Sequence, residues 1–342
     1  MLFRAKAPLR VSFAGGGTDV APFPEREGGL VLNATINRYA YGTLRPRRDG
    51  QIQIESVDFG RTARFGFDDA LVFDGNLDLV KAAIRRMRGP GDEGGGGFDL
   101  FLHSNAPPGS GLGSSSTMMV TLIGLLKEFR SLPLTDYEIA QMAFDVERVD
   151  LGLKGGLQDQ YAATFGGFNF LELHAGHVVV NPLRIPDDTI MELEHNLLLA
   201  YTGRTRQGDR IIDDQTRRFE KSDADAVEGL RTQKQLAIDM KNALLQRRVH
   251  DFGALLDEAW QAKKQMSDRI SSDEIDEMYE EATKVGALGG KVTGAGGGGY
   301  MLFYCHYDRK HKVADRLIEL GAEVTEFAFT HEGLRTWRAD DR

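Results

Sequence analysis

The 342-residue chain has a single cysteine, Cys305. One cysteine excludes an internal disulfide and any zinc cluster built on thiolates. It follows the apolar run from Tyr300 to Tyr304 and reads as a packed side chain. No stretch approaches the ~20 consecutive apolar residues that a helical membrane span requires. Residues Met1 to Pro8 carry no long apolar segment of the secretory kind. A cytoplasmic protein with no membrane partner is therefore expected. Positive charge is also scarce, with 42 Lys+Arg against 51 Asp+Glu and a formal net charge of -9. Scattered basic residues give counterion release little to draw on, so nucleic acid is not an expected partner. Repeats and low-complexity tracts are missing too. With 41% hydrophobic and 27% charged residues, the composition is that of a folded protein long enough for two ordinary domains or one large one.

What is present begins with β-like runs at Arg4 to Ala14, Leu30 to Ile36, Tyr39 to Leu44 and Gln51 to Ser56, separated by turn signals such as Asp49-Gly50. A helix is predicted over Leu77 to Arg88, a flexible glycine connection at Gly94 to Gly97, and a strand at Phe98 to Ser104. From Ser114, Met118, Met119, Leu122, Leu125 and Leu126 recur at helical spacing. Thr135 followed by Glu138 predicts a capping box at the start of a further helix. Strands are expected near Phe168 to Leu173 and His177 to Val180. Two prolines and two aspartates between Asn181 and Asp188 suggest a domain boundary near residue 185, giving domains 1–185 and 186–342. Beyond it the chain reads as helical to about Val285. Strands at Lys291 to Thr293, Met301 to Tyr304 and Glu323 to Phe327 follow, with a helix from Asp308.

Pro107-Pro108-Gly109-Ser110-Gly111-Leu112-Gly113-Ser114-Ser115-Ser116 joins spaced glycines, a run of hydroxyls and a helix start. Such a loop can wrap a polyphosphate, because glycines let the backbone approach it and successive N–H groups with the helix dipole supply positive potential. The Lys-Ser/Thr ending of the Walker loop is absent, and the dinucleotide fingerprint fails for want of its first strand and later acid. A glycine turn that only caps a helix is the plainer alternative.

Two more glycine turns flank the chain. Pro8-Leu9-Arg10-Val11-Ser12-Phe13-Ala14-Gly15-Gly16-Gly17-Thr18-Asp19 runs from an apolar strand into a turn that can present Thr18 and Asp19 to a polyol. Lys291-Val292-Thr293-Gly294-Ala295-Gly296-Gly297-Gly298-Gly299 lies between two strands. Each, alone, serves equally as a hairpin connection. Together and in this order the three segments resemble the signature of the GHMP kinases, over Pro8 to Gly299. The resemblance implies an α+β, two-domain fold: an N-terminal domain like ribosomal protein S5 domain 2, a ferredoxin-like C-terminal domain, and an active site between them. It also implies ATP and Mg²⁺.

Phosphoryl transfer needs charge neutralised on the phosphates and a carboxylate to orient or deprotonate the attacking hydroxyl. Glu147, in Phe144-Asp145-Val146-Glu147-Arg148, and Asp159, in Gln158-Asp159-Gln160, match the family's magnesium glutamate and acceptor-facing aspartate. By themselves both would read as solvated helix charges. By resemblance Ser115, rather than Ser114, joins Glu147 on the metal, and backbone amides from Gly109 to Ser115, beside Pro108, cradle the nucleotide. Lys6 and Arg10 are cationic candidates for the transferred phosphate, or strand-surface residues.

The Ala-Gly-Gly-Gly-Thr-Asp form of the first turn departs from the galactokinase pattern. With Asn33-Ala34-Thr35-Ile36, it is similar to D-glycero-D-manno-heptose 7-phosphate kinases, and fucokinase domains share a like segment. A sugar phosphate partner needs a second phosphate site, for which Arg204 and Arg206 in Thr202-Gly203-Arg204-Thr205-Arg206 offer forked donors; a basic loop leading into a helix is the alternative. Gly16, Gly17, Thr18, Asp19, Gly296 and Gly297 complete the expected acceptor site. An unphosphorylated sugar such as fucose, a mevalonate diphosphate decarboxylase, or a non-catalytic sugar-binding regulator are the competing readings. The adenine pocket and the oligomeric state, a homo-oligomer included, are left open.

Overall fold

Runs of β-branched and aromatic residues give twelve strands in the computed structural model, which describes residues 1–58, 60–88, 96–204 and 208–341. They are β1 Leu2–Ala14, β2 Gly29–Pro46, β3 Gln51–Ser56, β4 Arg61–Gly66, β5 Phe98–Ser104, β6 Phe168–His174, β7 His177–Pro182, β8 Leu197–Tyr201, β9 Ala287–Val292, β10 Tyr300–Cys305, β11 Glu323–Thr325 and β12 Arg335–Ala339. The first sheet runs β12-β1-β2-β5-β3-β4, with β6 on β2 and β7 on β6. The second runs β11-β8-β10-β9. Only β3 and β5 pair in parallel among the described strands.

The two runs expected at Leu30 to Ile36 and Tyr39 to Leu44 are one 18-residue strand. Its first part pairs with β6 and its later part with β5, while β1 follows it through a register shift between Pro8 and Arg10. Across that shift the core under β1 changes. Phe3, Ala5 and Ala7 pack with the helix Ser114–Arg130, whereas Leu9, Val11 and Phe13 pack with Leu236, Met240, Phe252 and Leu256 of two helices, Ala224–Leu245 and Phe252–Met266. β4 and β12 were not expected: β4 is a polar edge strand and β12 a five-residue strand at the far end of the chain. The break near residue 185 lies between β7 and the helix Asp187–Asn196 that leads into the second sheet. After β11 the chain crosses back, and β12 lies antiparallel on β1. Gly94 and Gly95 of the glycine run lie outside the described residues. Among the described residues no helix is long and apolar enough to cross a membrane.

Candidate active site

The loop before the helix Ser114–Arg130 takes positive φ at Gly109, Gly111 and Gly113 (74°, 85° and 75°). Its carbonyls are pinned from outside. Leu112 accepts from the Arg10 N–H at 3.1 Å and Ser110 from the Tyr300 N–H at 2.8 Å, while the Arg10 side chain donates to Gly111 at 2.6 Å. The helix N-terminus is thus held toward the cleft with no acidic residue in its first turn, which suits an anion. Ser114 turns its hydroxyl back to the Pro107 carbonyl at 3.2 Å, whereas Ser115 donates to Glu147 Oε1 at 3.0 Å. Geometry therefore separates the two adjacent serines.

Glu147 sits on a five-residue π-helical turn, Val146–Asp150, continuing the helix Asp136–Asp145. Such turns redirect side chains within a helix and recur at functional sites. The carboxylate is buried; Gln160 Nε2 donates to its Oε2 at 2.6 Å and Arg148 stands 4.0 Å away. Asp159 opens the helix Gln158–Phe165. Arg10 Nε donates to its Oδ1 at 2.7 Å and Nη2, on the same edge of the guanidinium, reaches that oxygen at 2.6 Å. Oδ2 has no hydrogen-bond partner among the described residues, and it faces Gly113, where a Cβ would come within 3.3 Å of it. Arg10 itself is only 3% exposed.

Gly16, Gly17 and Asp19 also line the cleft, next to the start of the Asp159 helix. The Asp19 carboxylate accepts from the Gly17 N–H (2.9 Å) and from the backbone and side-chain N–H groups of Gln158 (3.2 Å each). Burial, and after it the charge of Asp159, hold its pKa above the ordinary aspartate value, against the pull of these donors. Thr293, Gly294, Ala295 and Gly296 close the cleft from the second half of the chain, with Lys263 beneath them. The Lys263 ammonium donates to the Gly294 carbonyl. Burial, then the charge of Arg10, lower its pKa to about 8, Asp19 opposing. The whole cleft measures about 260 Å³. Beside it, sharing Ser114, Ser115 and Leu153, lies a second cavity of about 290 Å³ lined by Pro108, Leu77, Leu79, Val80, Leu102, Met118 and Leu151.

Several expected site residues lie elsewhere. Lys6 precedes the register shift in β1, and its ammonium stands over the Tyr39 ring and 3.6 Å from Glu332, away from the cleft. Thr18 is fully buried; its hydroxyl donates to the Gly15 carbonyl at 2.7 Å and accepts from the Leu30 N–H at 3.0 Å, so it fastens the glycine turn to β2 instead of facing a ligand. Arg204 is 62% exposed and paired with Glu274 at 2.6 Å, in a neighbouring surface pocket that takes Gly297 and meets the cleft at Gly298. Arg206 lies outside the described residues. Ser110 and Leu112 are buried supports of the loop, acting through their carbonyls. Conversely, Lys263, Arg148, Lys154 and Gln160 were missed. Lys263 had a signal: it falls on the buried stripe of its helix with Leu256, Ala259, Trp260 and Met266, where an apolar residue is expected.

Two family models match the chain: the GHMP kinases N-terminal domain over residues 78–167 and the GHMP kinases C-terminal domain over residues 240–323. A D-glycero-alpha-D-manno-heptose 7-phosphate kinase of Campylobacter jejuni is 40% identical over 98% of both chains. A crystal structure of a D-glycero-D-manno-heptose 1-phosphate kinase from Bacteroides thetaiotaomicron superposes with a TM-score of 0.82 at 36% identity, covering 99% of this chain and 100% of that one. More distant is an L-fucokinase/L-fucose-1-P guanylyltransferase of Bacteroides fragilis, 28% identical over 86% of this chain but only 34% of its own length. Matched in both halves and along nearly its full length, the chain belongs to the GHMP kinases, with their two-domain fold of mixed helices and sheets and their phosphotransferase activity toward a hydroxyl acceptor.

Proposed function

We propose that the protein transfers the γ-phosphoryl group of ATP to the anomeric hydroxyl of D-glycero-D-manno-heptose 7-phosphate, giving the 1,7-bisphosphate that a later activation to a nucleotide sugar requires. The carrying observation is the meeting, in one cleft, of the glycine loop, the Glu147–Ser115 pair and an Asp159 whose Oδ2 is left open. The full-length similarity to a heptose 7-phosphate kinase supports the acceptor. The name of the similar crystal structure places the heptose phosphate at position 1 instead, so the two names agree on the sugar and differ on the site.

Asp159 holds the acceptor hydroxyl with Oδ2 and takes its proton, while Arg10 anchors Oδ1 and keeps the carboxylate aimed. Amides of Gly109 to Ser115 bind the nucleotide phosphates, and the apolar cavity shared with Ser114 and Ser115 suits a purine base. Glu147 and Ser115 fit Mg²⁺: a buried carboxylate and a hydroxyl face the phosphate loop, and no cluster of three metal-ligating side chains exists among the described residues. Magnesium normally keeps waters and substrate phosphates as its other ligands, and when bound it neutralises charge on the phosphates. Gly16, Gly17 and Asp19 contact the sugar, and Arg148 and Lys154, both lining the cleft, take its own phosphate in place of Arg204.

The displacement of Arg204 favours one second reading, a kinase for an unphosphorylated sugar such as fucose. ADP release with Mg²⁺-ATP across heptose 7-phosphates, unphosphorylated heptose, mannose and fucose separates the two, with phosphorus NMR locating the new ester. Selective turnover of a heptose 7-phosphate is expected. Turnover of only the unphosphorylated sugars would reject the second-phosphate site. Asp159→Asn is expected to lower kcat by roughly 10²–10⁴-fold with nucleotide affinity retained; full activity in that variant would remove Asp159 from the reaction.

A further inference from the structure

Arg10 has few donors left for a substrate. Its Nε and one terminal nitrogen reach Asp159 Oδ1, and the other terminal nitrogen donates to the Gly111 carbonyl. Its geometry is that of a strut between the phosphate loop and the base. Yet the region is built with more buried positive charge than the strut needs. Arg10, Lys263 and Lys291 are each 3% exposed or less, and burial, then the charges of Lys263 and Arg10, push the Lys291 pKa well below the ordinary lysine value. Lys291 donates to the Phe13 carbonyl at 2.7 Å and does not line the cleft. Lys263 does line it, and its ammonium, with three N–H donors, uses one on Gly294. A buried ammonium with donors still open is costly in a protein interior unless an anion completes it.

We infer that Lys263 is the cation that contacts the phosphoryl group in transit, supplied to the first domain's phosphate loop by the helix Phe252–Met266 of the second half. The inference rests on the kinase reading. In the step itself the acceptor oxygen bonds to the γ-phosphorus as the bond to the β–γ bridging oxygen breaks. The hydroxyl proton passes to Asp159, and ADP leaves. Negative charge spreads over the equatorial oxygens of the moving group, and a preplaced donor in a water-poor site stabilises it there more than in the bound substrates. Gly294 sits against Gly111, a Cβ added at Gly294 coming within 2.8 Å of the Gly111 Cα, so Lys263 is placed by the same contact that joins the two glycine loops.

The groups facing the ammonium are Arg10 on β1, Lys291 on β9, and Asp19 on the first glycine turn. With its pKa lowered to about 8, Lys263 is charged below that pH and loses its proton as pH rises through it. Steady-state kinetics of Lys263→Met and Lys263→Arg test the assignment. In the Met variant kcat is expected to fall by roughly a hundredfold or more, with KM for ATP and acceptor each within about threefold and the thermal midpoint equal to or above that of the wild type. In the wild type kcat/KM for ATP is expected to decline above about pH 8, the range in which free Lys263 loses its proton, and in the Arg variant that decline disappears. Three results would overturn the inference: an unchanged kcat in the Met variant, a loss confined to KM for the phosphorylated acceptor, or a loss of activity that tracks a lowered midpoint. Wild-type protein that releases no ADP with any acceptor would overturn the kinase reading along with it.

Discussion

At the scale of single residues, local motif and tertiary placement divide the work. Gly113 is required twice over: its φ of 75° is a left-handed conformation, and a Cβ there would lie 3.2 Å from Asp159 Cγ. Gly113→Ala should therefore strain the loop by ~1–2 kcal/mol and push the base off line. Because misplacement by about 1 Å can cost on the order of a hundredfold in rate, kcat is expected to fall tenfold to a hundredfold while Asp159 itself is intact. Stopped-time assays at saturating substrates check it, and wild-type kcat would show that the carboxylate tolerates the shift. Residue type alone misled at Thr18 and Lys6. The Thr18 hydroxyl is consumed by backbone groups of its own turn, and Lys6 lies on the wrong side of a register shift. Neither fact can be read from a four- or five-residue motif.

Elements were more legible than residues where local chemistry sets their ends. The capping box expected at Thr135 is present: the Glu138 N–H donates to Thr135 Oγ1 at 3.3 Å, and the Thr135 N–H donates to Glu138 Oε2 at 2.8 Å. The Thr135 N–H, and after it the Thr135 hydroxyl, both donating to Glu138 Oε2, hold the Glu138 carboxyl below its ordinary pKa. Thr135→Ala is expected to destabilise the protein by about 1 kcal/mol, read as a lower denaturation midpoint at unchanged m-value. KM for both substrates should not move, since the cap is at the far end of the helix from Glu147; a shift in KM would mean the helix transmits its fraying to the site. The π-helical turn at Val146–Asp150 had no sequence signal, because it differs from an α-turn by one inserted residue. β4 and β12 were missed for another reason. Their polar, exposed residues give no apolar alternation, and only their neighbours make them strands.

Across the whole molecule, one core ties the halves together. Leu9, Val11, Phe13 and Leu32 of the first sheet share a cluster with Leu236, Met240, Phe252 and Leu256 of the second-half helices and with Leu199, Tyr300 and Leu302 of the second sheet. β12 adds a return strand from the far end of the chain. A boundary at residue 185 marks a change of sheet but cuts through this shared core. Calorimetry should accordingly show one cooperative unfolding transition; two resolved transitions would mean that the halves are stable separately. The cleft lies across the same junction, with Asp159, Glu147 and Ser115 on one side and Lys263 and the third glycine loop on the other.

The sequence by itself determined the three glycine turns, the helix that follows the central one and the Thr135–Glu138 capping box, and through the turns the family. These depend on φ sign, hydroxyl and carboxylate chemistry and helical period, all of which act within a few residues. Only the tertiary structure decided which cations reach the cleft. Arg10 was bound to Asp159, Arg204 to Glu274, Lys6 to Glu332, and Lys263 was carried to the cleft by a helix of the second half of the chain. Charge acts through space, so where a cation works is fixed by packing and by its nearest carboxylate, neither of which a linear pattern contains.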